Sequence, residues 1–168
     1  MAKQLFYSLY AWEPANLLLV ASEQGLFRIE FVRPGEEDRF LTALPPTVHL
    51  VKDERAFDKV RPQLDVYFSG KPVDWQMALD VSSGTDFQQL VWSALRRIPY
   101  GQTITYGQLA QSIGKPGASR AVGAANAANP LPVIIPCHRV VAGNGRLGGF
   151  SGGLHIKQAL LRLEGALL

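Results

Sequence analysis

Three apolar runs near the start of the chain alternate with short turn-forming segments. Gln4–Trp12, Leu17–Ala21 and Leu26–Phe31 are rich in aromatic and branched residues, which favour β-strands. Pro14-Ala15-Asn16 and Glu23-Gln24-Gly25, which separate these runs, contain the residue types that favour turns. Because the connections are short, neighbouring strands can pair directly, and the pattern predicts an antiparallel sheet.

From Asp53 the apolar positions change to helical spacing. They fall three or four residues apart, as on one face of a helix, and the pattern ends at Gly70. These positions are Phe57, Val60, Leu64, Tyr67 and Phe68. Pro62 lies inside the segment and predicts a kink or a break, because proline has no backbone N–H to donate. Residues 73–81 then alternate between apolar and polar side chains, which predicts a further strand.

Two capping boxes mark helix starts in the second half of the chain. They are Thr85-x-x-Gln88 and Thr105-x-x-Gln108, and in each the two side chains can satisfy one another's backbone N–H groups. The first opens an apolar stripe that Pro99 is expected to end, and the second opens a short helix that runs to Ile113. This half of the chain is therefore predicted to be mainly helical.

A helix-turn-helix pattern follows from the second of these helices. The Gly-Lys-Pro-Gly segment at residues 114–117 interrupts the helix, and a further helical segment covers Ala118–Ala128. Arg120 is its only cation and Asn126 its only amide, so it lacks the long side chains that read several base edges. Small residues instead let a backbone approach a narrow minor groove, with one side chain as a wedge. The alternative is a small-residue helix that packs tightly in a core.

These patterns predict an α+β protein with two domains. Residues 1–82 would form an antiparallel sheet with a helix, and we interpret them as a scaffold because no catalytic grouping is visible there. Residues 83–168 would form a mainly helical domain with the helix-turn-helix motif and a cysteine loop. The run Leu17–Ala21 is far too short to span a bilayer, and the start of the chain lacks the layout of a signal peptide. We therefore expect a cytoplasmic protein.

Charge is divided unevenly between the two predicted domains. Residues 1–82 contain nine Lys/Arg against twelve Asp/Glu, a net charge of −3, whereas residues 83–168 contain eight against two, a net charge of +6. A basic domain of this kind is typical of proteins that bind nucleic acids, since cations that neutralise phosphates release counterions. A solvated basic face without a partner is the alternative interpretation.

Cys137 is the only cysteine, and it lies in the run Ile-Ile-Pro-Cys-His-Arg-Val at residues 134–140. A neighbouring histidine or arginine lowers the pKa of a thiol, which favours a nucleophilic thiolate. The alternative is a buried cysteine that acts as a small hydrophobic residue. One cysteine excludes an intramolecular disulfide and a cysteine-rich zinc site, and the three histidines have no metal-ligand spacing. We therefore expect a reducing compartment, and neither a metal nor a cofactor.

Six short motifs follow one another between residues 87 and 165. They are Ile-Pro-Tyr-Gly-Gln-Thr-Ile-Thr-Tyr-Gly-Gln-Leu-Ala (98–110), Ser-Arg-Ala-Val-Gly (119–123), Asn-Pro-Leu-Pro (129–132), Ile-Pro-Cys-His-Arg-Val (135–140), Ser-Gly-Gly (151–153) and Leu-Glu-Gly (163–165). With them the region resembles the C-terminal domain of the O6-alkylguanine-DNA alkyltransferases, also called methylated-DNA–protein-cysteine methyltransferases. The first half of the chain resembles that family's variable N-terminal domain more weakly.

The resemblance implies a DNA repair enzyme that transfers the alkyl group of O6-alkylguanine, and also of O4-alkylthymine, to Cys137. In the family a histidine that matches His138 acts as a base through a water, and a carboxylate that matches Glu164 orients it. Tyr106 would hydrogen-bond guanine N3 and supply a proton to the leaving base. Asn129 would tie the DNA-binding helix to the cysteine loop. Water does not hydrolyse the thioether product at a useful rate, so each protein molecule would act once.

The resemblance also implies a way of binding DNA. An O6 atom in a stacked duplex cannot reach a protein cysteine, so the nucleotide must be flipped into a pocket through the minor groove. Arg120 matches the finger that fills the vacated space. The residues assigned to DNA and substrate binding are Arg120, Ser119, Ala121, Gly123, Val140, Ser151, Phe150 and Gly152. The expected partner is double-stranded DNA that contains O6-alkylguanine, bound by a protein that is a monomer in solution and can load several copies along DNA.

Three other classes stay open on the sequence. A helix-turn-helix regulator would use the same helix pair, but it needs base-reading side chains and a dimer interface, and neither is evident. A cysteine hydrolase would use Cys137 and His138, although sequence neighbours seldom face each other as nucleophile and base. A lesion-binding relative without alkyl transfer would lack the nucleophile, and the presence of Cys137 argues against this class. Phe150 stands where several relatives have tyrosine, which leaves the tolerance for bulky alkyl groups open.

Overall fold

The structure of the protein, a computed structural model, describes residues 3–167. The chain divides into two compact units between Asp80 and Val81.

A four-stranded sheet forms the first unit's centre. Its strands are β1 (Lys3–Tyr10), β2 (Asn16–Ser22), β3 (Gly25–Val32) and β4 (Val48–Lys52). They lie in the order β3-β2-β1-β4, so β2 and β1 are central. The pairs β1–β2 and β2–β3 are antiparallel, as the turn-separated apolar runs predict. Residues 17–21 of β2 are buried without interruption, because this strand has a neighbour on each side and is covered on both faces.

Two elements of this unit were not predicted from the sequence. Strand β4 pairs parallel to β1, so the sheet is mixed rather than wholly antiparallel. Helix α1 (Glu37–Thr42) has no buried residue, yet its Phe40 and Leu41 pack against a core cluster of the sheet. That cluster consists of Leu5, Leu18, Val20 and Val32.

The break predicted at Pro62 lies instead before it. A 3-10 turn, Glu54–Phe57, is capped by the Asp53 side chain, and helix α2 then runs from Val60 to Phe68. Pro62 is the third residue of α2, where the missing N–H has no intrahelical partner to lose, so the helix continues. Gly70 follows the last turn with φ +86°, as its predicted role as a helix stop requires.

The prediction of a strand over residues 73–81 is wrong in length, because the segment forms a single bridge. Only Leu79 forms a bridge, to Leu26 of β3, and the flanking hydrogen bonds join Leu26 N to Ala78 O and Asp80 N to Leu26 O. The alternation in the sequence is real, since odd-numbered side chains here are half-buried and most even-numbered ones are exposed. The segment is extended, but it has no ladder of hydrogen bonds along its length.

The second unit is mainly helical. Its helices are α3 (Asp86–Leu95), α4 (Tyr106–Ser112), α5 (Ser119–Ala127) and α6 (Leu154–Leu163). Both predicted capping boxes are present, with Thr85 and Thr105 each accepting from the backbone three residues on. Helix α5 packs against α3 and α4, and the Trp92 indole of α3 donates to Ala125 O of α5 at 2.9 Å. The helix-turn-helix arrangement predicted from the sequence is therefore present.

A short parallel pair of strands connects the cysteine segment to α4. Strand β5 (Ile104–Thr105) pairs with β6 (Val140–Val141), so Ile104 lies opposite Val140 and Thr105 opposite Val141. Because β5 ends where α4 begins, this pairing brings the first residue of α4 beside the chain that follows Cys137.

Candidate active site

Cys137 begins a buried 3-10 turn, Cys137–Arg139, called here the cysteine turn. Every residue from 131 to 140 is buried, and Cys137 itself is 4% exposed. Val133 holds the preceding loop in a tight path with φ +76°, a conformation that a β-branched residue rarely adopts. The thiol is therefore presented from a rigid, enclosed backbone rather than from an open loop.

Asn129 fixes the chain that leads from α5 to the cysteine turn. Its Nδ2 donates to Ile135 O at 2.8 Å, and its Oδ1 accepts from Leu131 N at 3.0 Å. Asn126, buried in α5, donates more weakly to Cys137 O at 3.5 Å. The DNA-binding helix predicted from the sequence is thus hydrogen-bonded to the segment that carries the thiol.

Glu164, at the end of α6, is the acceptor for two side chains of the cysteine turn. Its carboxylate accepts from His138 Nε2 at 2.7 Å and from Arg139 Nε and Nη2 at 2.9 Å each. Gly101 N donates to the same group at 3.1 Å. Because the arginine keeps Glu164 ionised and acceptor-only, we assign the imidazole proton to Nε2 of His138. Nδ1 is then the basic nitrogen of the ring.

Burial keeps His138 neutral. The ring is fully buried, which lowers its pKa below 6.5, and the charges of Arg139 and Lys157 act in the same direction. The hydrogen bond and charge of Glu164 oppose this effect but do not overcome it. A neutral imidazole at pH 7 can accept a proton.

The Cys137 thiol also stays neutral in the resting protein. Burial raises its pKa to about 11, while the side chains of Asn129 and Lys157 act to lower it. The expectation that adjacent His and Arg residues lower this pKa is therefore wrong, because desolvation is the larger effect and Arg139 is bound to Glu164. The thiol must lose its proton to a base as it reacts.

Tyr106 is the first residue of α4, and its ring lies between two glycines. A Cβ on Gly123 of α5 would approach the ring to 3.8 Å, and one on Gly148 would approach the phenol oxygen to 3.0 Å. Burial, and then the nearby Cys137, raise the pKa of the phenol. Tyr106 is consequently protonated at neutral pH and can donate a hydrogen bond.

The exposed face of α5 carries the residues predicted to contact DNA. Arg120 and Ala121 are exposed in its first turn, with Ser119 and Gly123 half-buried beside them. Ala124, Ala127 and Ala128 are also exposed, whereas Val122, Ala125 and Asn126 are the buried residues of this helix segment. Most of the alanines therefore form a bare outer surface, and the core-packing alternative fits only Ala125.

The loop between β6 and α6 holds the other predicted substrate contacts. Ser151 is exposed, and Phe150 and Gly152 are half-buried. Gly148 of this loop packs against the Tyr106 ring, a contact that the sequence did not indicate. Val140 is fully buried in β6 directly after the cysteine turn.

Lys157 is a buried residue of the site that sequence reasoning missed. It is fully buried in α6, and its ammonium donates to the carbonyl oxygens of Val140 and Leu147. The sequence signal was its position three and four residues before the apolar Leu160 and Leu161, on the buried stripe of the helix. Lys157 was counted with the other cations of residues 83–168 and was not distinguished as a buried one.

Within residues 3–167, no cluster of three or more His, Cys, Asp or Glu side chains is arranged to hold a metal ion. Over the same residues no helix combines the length and apolarity needed to cross a membrane. The expectation of a metal-free protein stays a prediction.

Fold and site define a two-unit α+β protein whose helix-turn-helix unit buries a lone cysteine beside a hydrogen-bonded histidine–glutamate pair. Two family models match the chain: the DNA-binding domain of 6-O-methylguanine DNA methyltransferase over residues 86–166, and the ribonuclease-like domain of the same enzyme over residues 5–81. The chain therefore belongs to the methylated-DNA–protein-cysteine methyltransferase family. The resemblance, the α+β fold and the enzyme class inferred from the sequence are confirmed.

Relatives and solved structures agree with this family. A methylated-DNA–protein-cysteine methyltransferase of Methanosarcina acetivorans is 41% identical over 162 residues, which cover 96% of this chain and 99% of the relative. One of Mycobacterium bovis is 50% identical over 120 residues, or 71% of this chain and 72% of the relative. The crystal structure of Mycobacterium tuberculosis OGT in complex with DNA superimposes with a TM-score of 0.81 at 42% identity, covering 95% of this chain and 92% of that one.

Proposed function

We propose that this protein repairs alkylated DNA by taking the alkyl group of O6-alkylguanine, and of O4-alkylthymine, onto Cys137. The single observation that carries the proposal is the lone cysteine on a buried turn whose next residue, His138, is bonded to Glu164 at 2.7 Å. Family membership and the DNA-bound relative support DNA as the partner.

The reaction is a transfer of carbon from oxygen to sulfur. Cys137 Sγ attacks the alkyl carbon, the S–C bond forms, and the C–O6 bond breaks with its electron pair going to the guanine. His138, neutral and held by Glu164, receives the thiol proton through a water, and Tyr106 donates a proton to N3 of the leaving base. Guanine thus gains one proton and the thiol loses one, and the balance closes when His138 releases its proton to water and Tyr106 takes one back.

The product cannot return to the thiol by the same chemistry. A thioether has no acidic proton and no good leaving group, and water does not cleave it at a useful rate. The protein therefore acts once per molecule, as a stoichiometric reagent.

The enclosure of the thiol supports base flipping. Cys137 is 4% exposed, so a base within a stacked duplex cannot reach it. The bare exposed face of α5 suits close approach to a minor groove, and Arg120 is the long side chain on this face that can occupy the space of the flipped nucleotide. With only one such side chain, recognition depends on the lesion pocket rather than on flanking sequence, and a sequence-specific regulator is not favoured.

The deciding experiment is the intact mass of the protein after incubation with duplex DNA that carries one O6-methylguanine. We expect a gain of one methyl group per protein, mapped to Cys137, and no gain in Cys137→Ser. Many products per protein molecule, or a methyl group on another residue, would refute single transfer to Cys137. Lesion-dependent binding without any gain in mass would instead indicate a recognition protein with a structural cysteine.

A further inference from the structure

Lys157 is a buried cation in a helix stripe that is otherwise apolar. It shares this stripe with Ile156, Leu160 and Leu161, and it is fully buried. Removing an ammonium group from water is unfavourable unless hydrogen bonds or charges replace the water. An aliphatic side chain at this position would avoid that desolvation, so a role for the charge has to be sought in its surroundings.

The ammonium of Lys157 joins two parts of the site. It donates to Val140 O at 2.6 Å, directly after the cysteine turn, and to Leu147 O and Gly149 O, the latter at 3.4 Å. Leu147 and Gly149 flank Gly148, which packs against the phenol of Tyr106. One cation thus holds the cysteine turn and the loop beside Tyr106 together.

The three hydrogen-bond partners of Lys157 are neutral carbonyl groups, which leave its positive charge uncancelled. The ionisable groups around the thiol are Tyr106, His138, Arg139, Lys157 and Glu164. Arg139 directs its charge to Glu164, whereas Lys157 acts on Cys137 itself and lowers the pKa of its thiol. The interaction is mutual: burial lowers the pKa of Lys157 to about 8, and Cys137 acts to raise it, so the ammonium is charged at neutral pH.

We propose that Lys157 is the positioning residue that makes Cys137 usable as a nucleophile: its buried ammonium holds the cysteine turn against the 147–149 loop and stabilises the thiolate as it forms. The benefit to alkyl transfer rests on the function proposed above. The effect on the thiol does not, because it can be measured with a reagent that needs neither DNA nor a lesion.

Iodoacetamide is such a reagent, since it alkylates a thiolate with loss of iodide. Cys137 is the only cysteine, and mapping the added group to its peptide separates this reaction from slower alkylation of lysine and histidine. We would measure the alkylation rate against pH for the wild type, Lys157→Gln and Lys157→Arg, with Lys71→Gln as the control for loss of an exposed lysine charge. Gln keeps a hydrogen-bond donor without charge, and Arg keeps the charge with a different shape. Thermal melting confirms that each variant is folded at the assay temperature.

Lys157→Gln should react about tenfold more slowly than the wild type below pH 8, as expected for the loss of a neighbouring cation. The difference should narrow above pH 8, because the pKa of Lys157 is lowered to about 8 and the lysine of the wild type then loses its own charge. Lys157→Arg should retain a rate close to that of the wild type below pH 8, and Lys71→Gln should not differ from the wild type. A folded Lys157→Gln with the wild-type profile would overturn the proposal. If the Gln variant is unfolded, Lys157→Arg decides: a folded Arg variant that reacts about tenfold more slowly than the wild type below pH 8 would overturn the proposal equally.

Methyl transfer from O6-methylguanine DNA, measured on the same variants, separates this inference from the proposed function. A wild type that takes up no methyl group, together with a shifted iodoacetamide profile in Lys157→Gln, would refute the function and leave the role of Lys157 intact. Normal methyl transfer by the wild type, together with an unchanged iodoacetamide profile in Lys157→Gln, would support the function and refute the role of Lys157.

Discussion

Glu164 is the residue on which two buried side chains of the cysteine turn depend. It binds His138 through one hydrogen bond and Arg139 through two, and all three side chains are almost wholly removed from water. Replacing it by glutamine keeps the shape of the side chain but leaves the guanidinium of Arg139 buried without a counter-charge.

We therefore expect Glu164→Gln to lower the free energy of unfolding by about 3 kcal/mol. Methyl transfer should also slow, by about 100-fold, because the imidazole of His138 loses the carboxylate that fixes its tautomer. Urea unfolding and single-turnover kinetics measure the two effects. Glu23→Gln, at an exposed glutamate, is the matched control and should change neither. Wild-type stability in Glu164→Gln would contradict the buried pairing.

The buried His138 makes stability depend on pH. Its pKa in the folded protein lies below 6.5, so the unfolded chain binds the extra proton first as the solution is acidified. Stability from this residue is present above pH 6.5 and is lost as pH falls from there through the folded-state pKa.

We expect the melting temperature of the wild type to fall from pH 7 to pH 5 more steeply than that of His138→Gln. Gln can still donate to Glu164 but has no proton to gain in this range. His155→Gln, at an exposed histidine, is the control and should retain the wild-type slope. Equal slopes for His138→Gln and the wild type would show that His138 does not carry this dependence.

At the scale of elements, the two capping boxes form a natural pair for comparison. Thr85 caps α3 and Thr105 caps α4, with the same geometry in each: an N–H···O distance of 3.1 Å from the glutamine three residues later. Tyr106 follows Thr105 directly, so only the second cap positions a residue of the proposed site.

Thr85→Ala and Thr105→Ala should each lower the free energy of unfolding by about 1 kcal/mol. Only Thr105→Ala should also slow methyl transfer, because the start of α4 sets the position of the Tyr106 phenol. Urea unfolding and transfer rates on one duplex substrate test both statements. Equal transfer rates in the two variants would mean that the first turn of α4 does not set the geometry of the site.

Helix α5 carries a separate prediction at this scale. Arg120→Ala should slow repair of duplex DNA by about 10- to 100-fold, in line with a few kcal/mol for base flipping, while sparing the reaction with free O6-alkylguanine. Arg97→Ala removes an exposed arginine outside α5 and should not discriminate between the two substrates. Equal losses on both substrates in Arg120→Ala would refute the finger role.

Local signals explain which elements the sequence could predict. The capping boxes, the Gly70 stop and the helix-turn-helix spacing depend on residues within a few positions of one another, and all are present. Strand β4 depends on parallel pairing with β1, more than forty residues earlier, and its own burial is only partial. Hydrophobic periodicity carries no information on such a partner.

In the site, too, local sequence signals were predictive and long-range contacts were not. Cys137 and the adjacent His138 stand out in the sequence, but the partner of His138 lies 26 residues away and was identified only through the family resemblance. The thiol's pKa depends on burial, and the buried state of Lys157 depends on how α6 packs, so neither follows from the order of residues alone.

At the scale of the whole molecule, alkylation should weaken the fold. The residues around Cys137 are buried without a gap from 131 to 140, so an added methyl group must displace packed neighbours. We expect the free energy of unfolding to fall by about 1–3 kcal/mol after stoichiometric methylation, measured by urea unfolding of protein treated with lesion DNA. Protein treated with undamaged DNA is the control, and identical stability of the two samples would contradict the tight packing.

The burial of Cys137 also protects the thiol from oxidation before the protein binds a lesion. A protein that reacts once is lost just as surely if its thiol is oxidised to a sulfenic or sulfinic acid. Oxidants such as peroxide attack exposed thiolates, whereas Cys137 is 4% exposed and burial raises the pKa of its thiol to about 11. The same burial that makes the thiol depend on a base for deprotonation therefore slows its oxidation while the protein waits for a lesion.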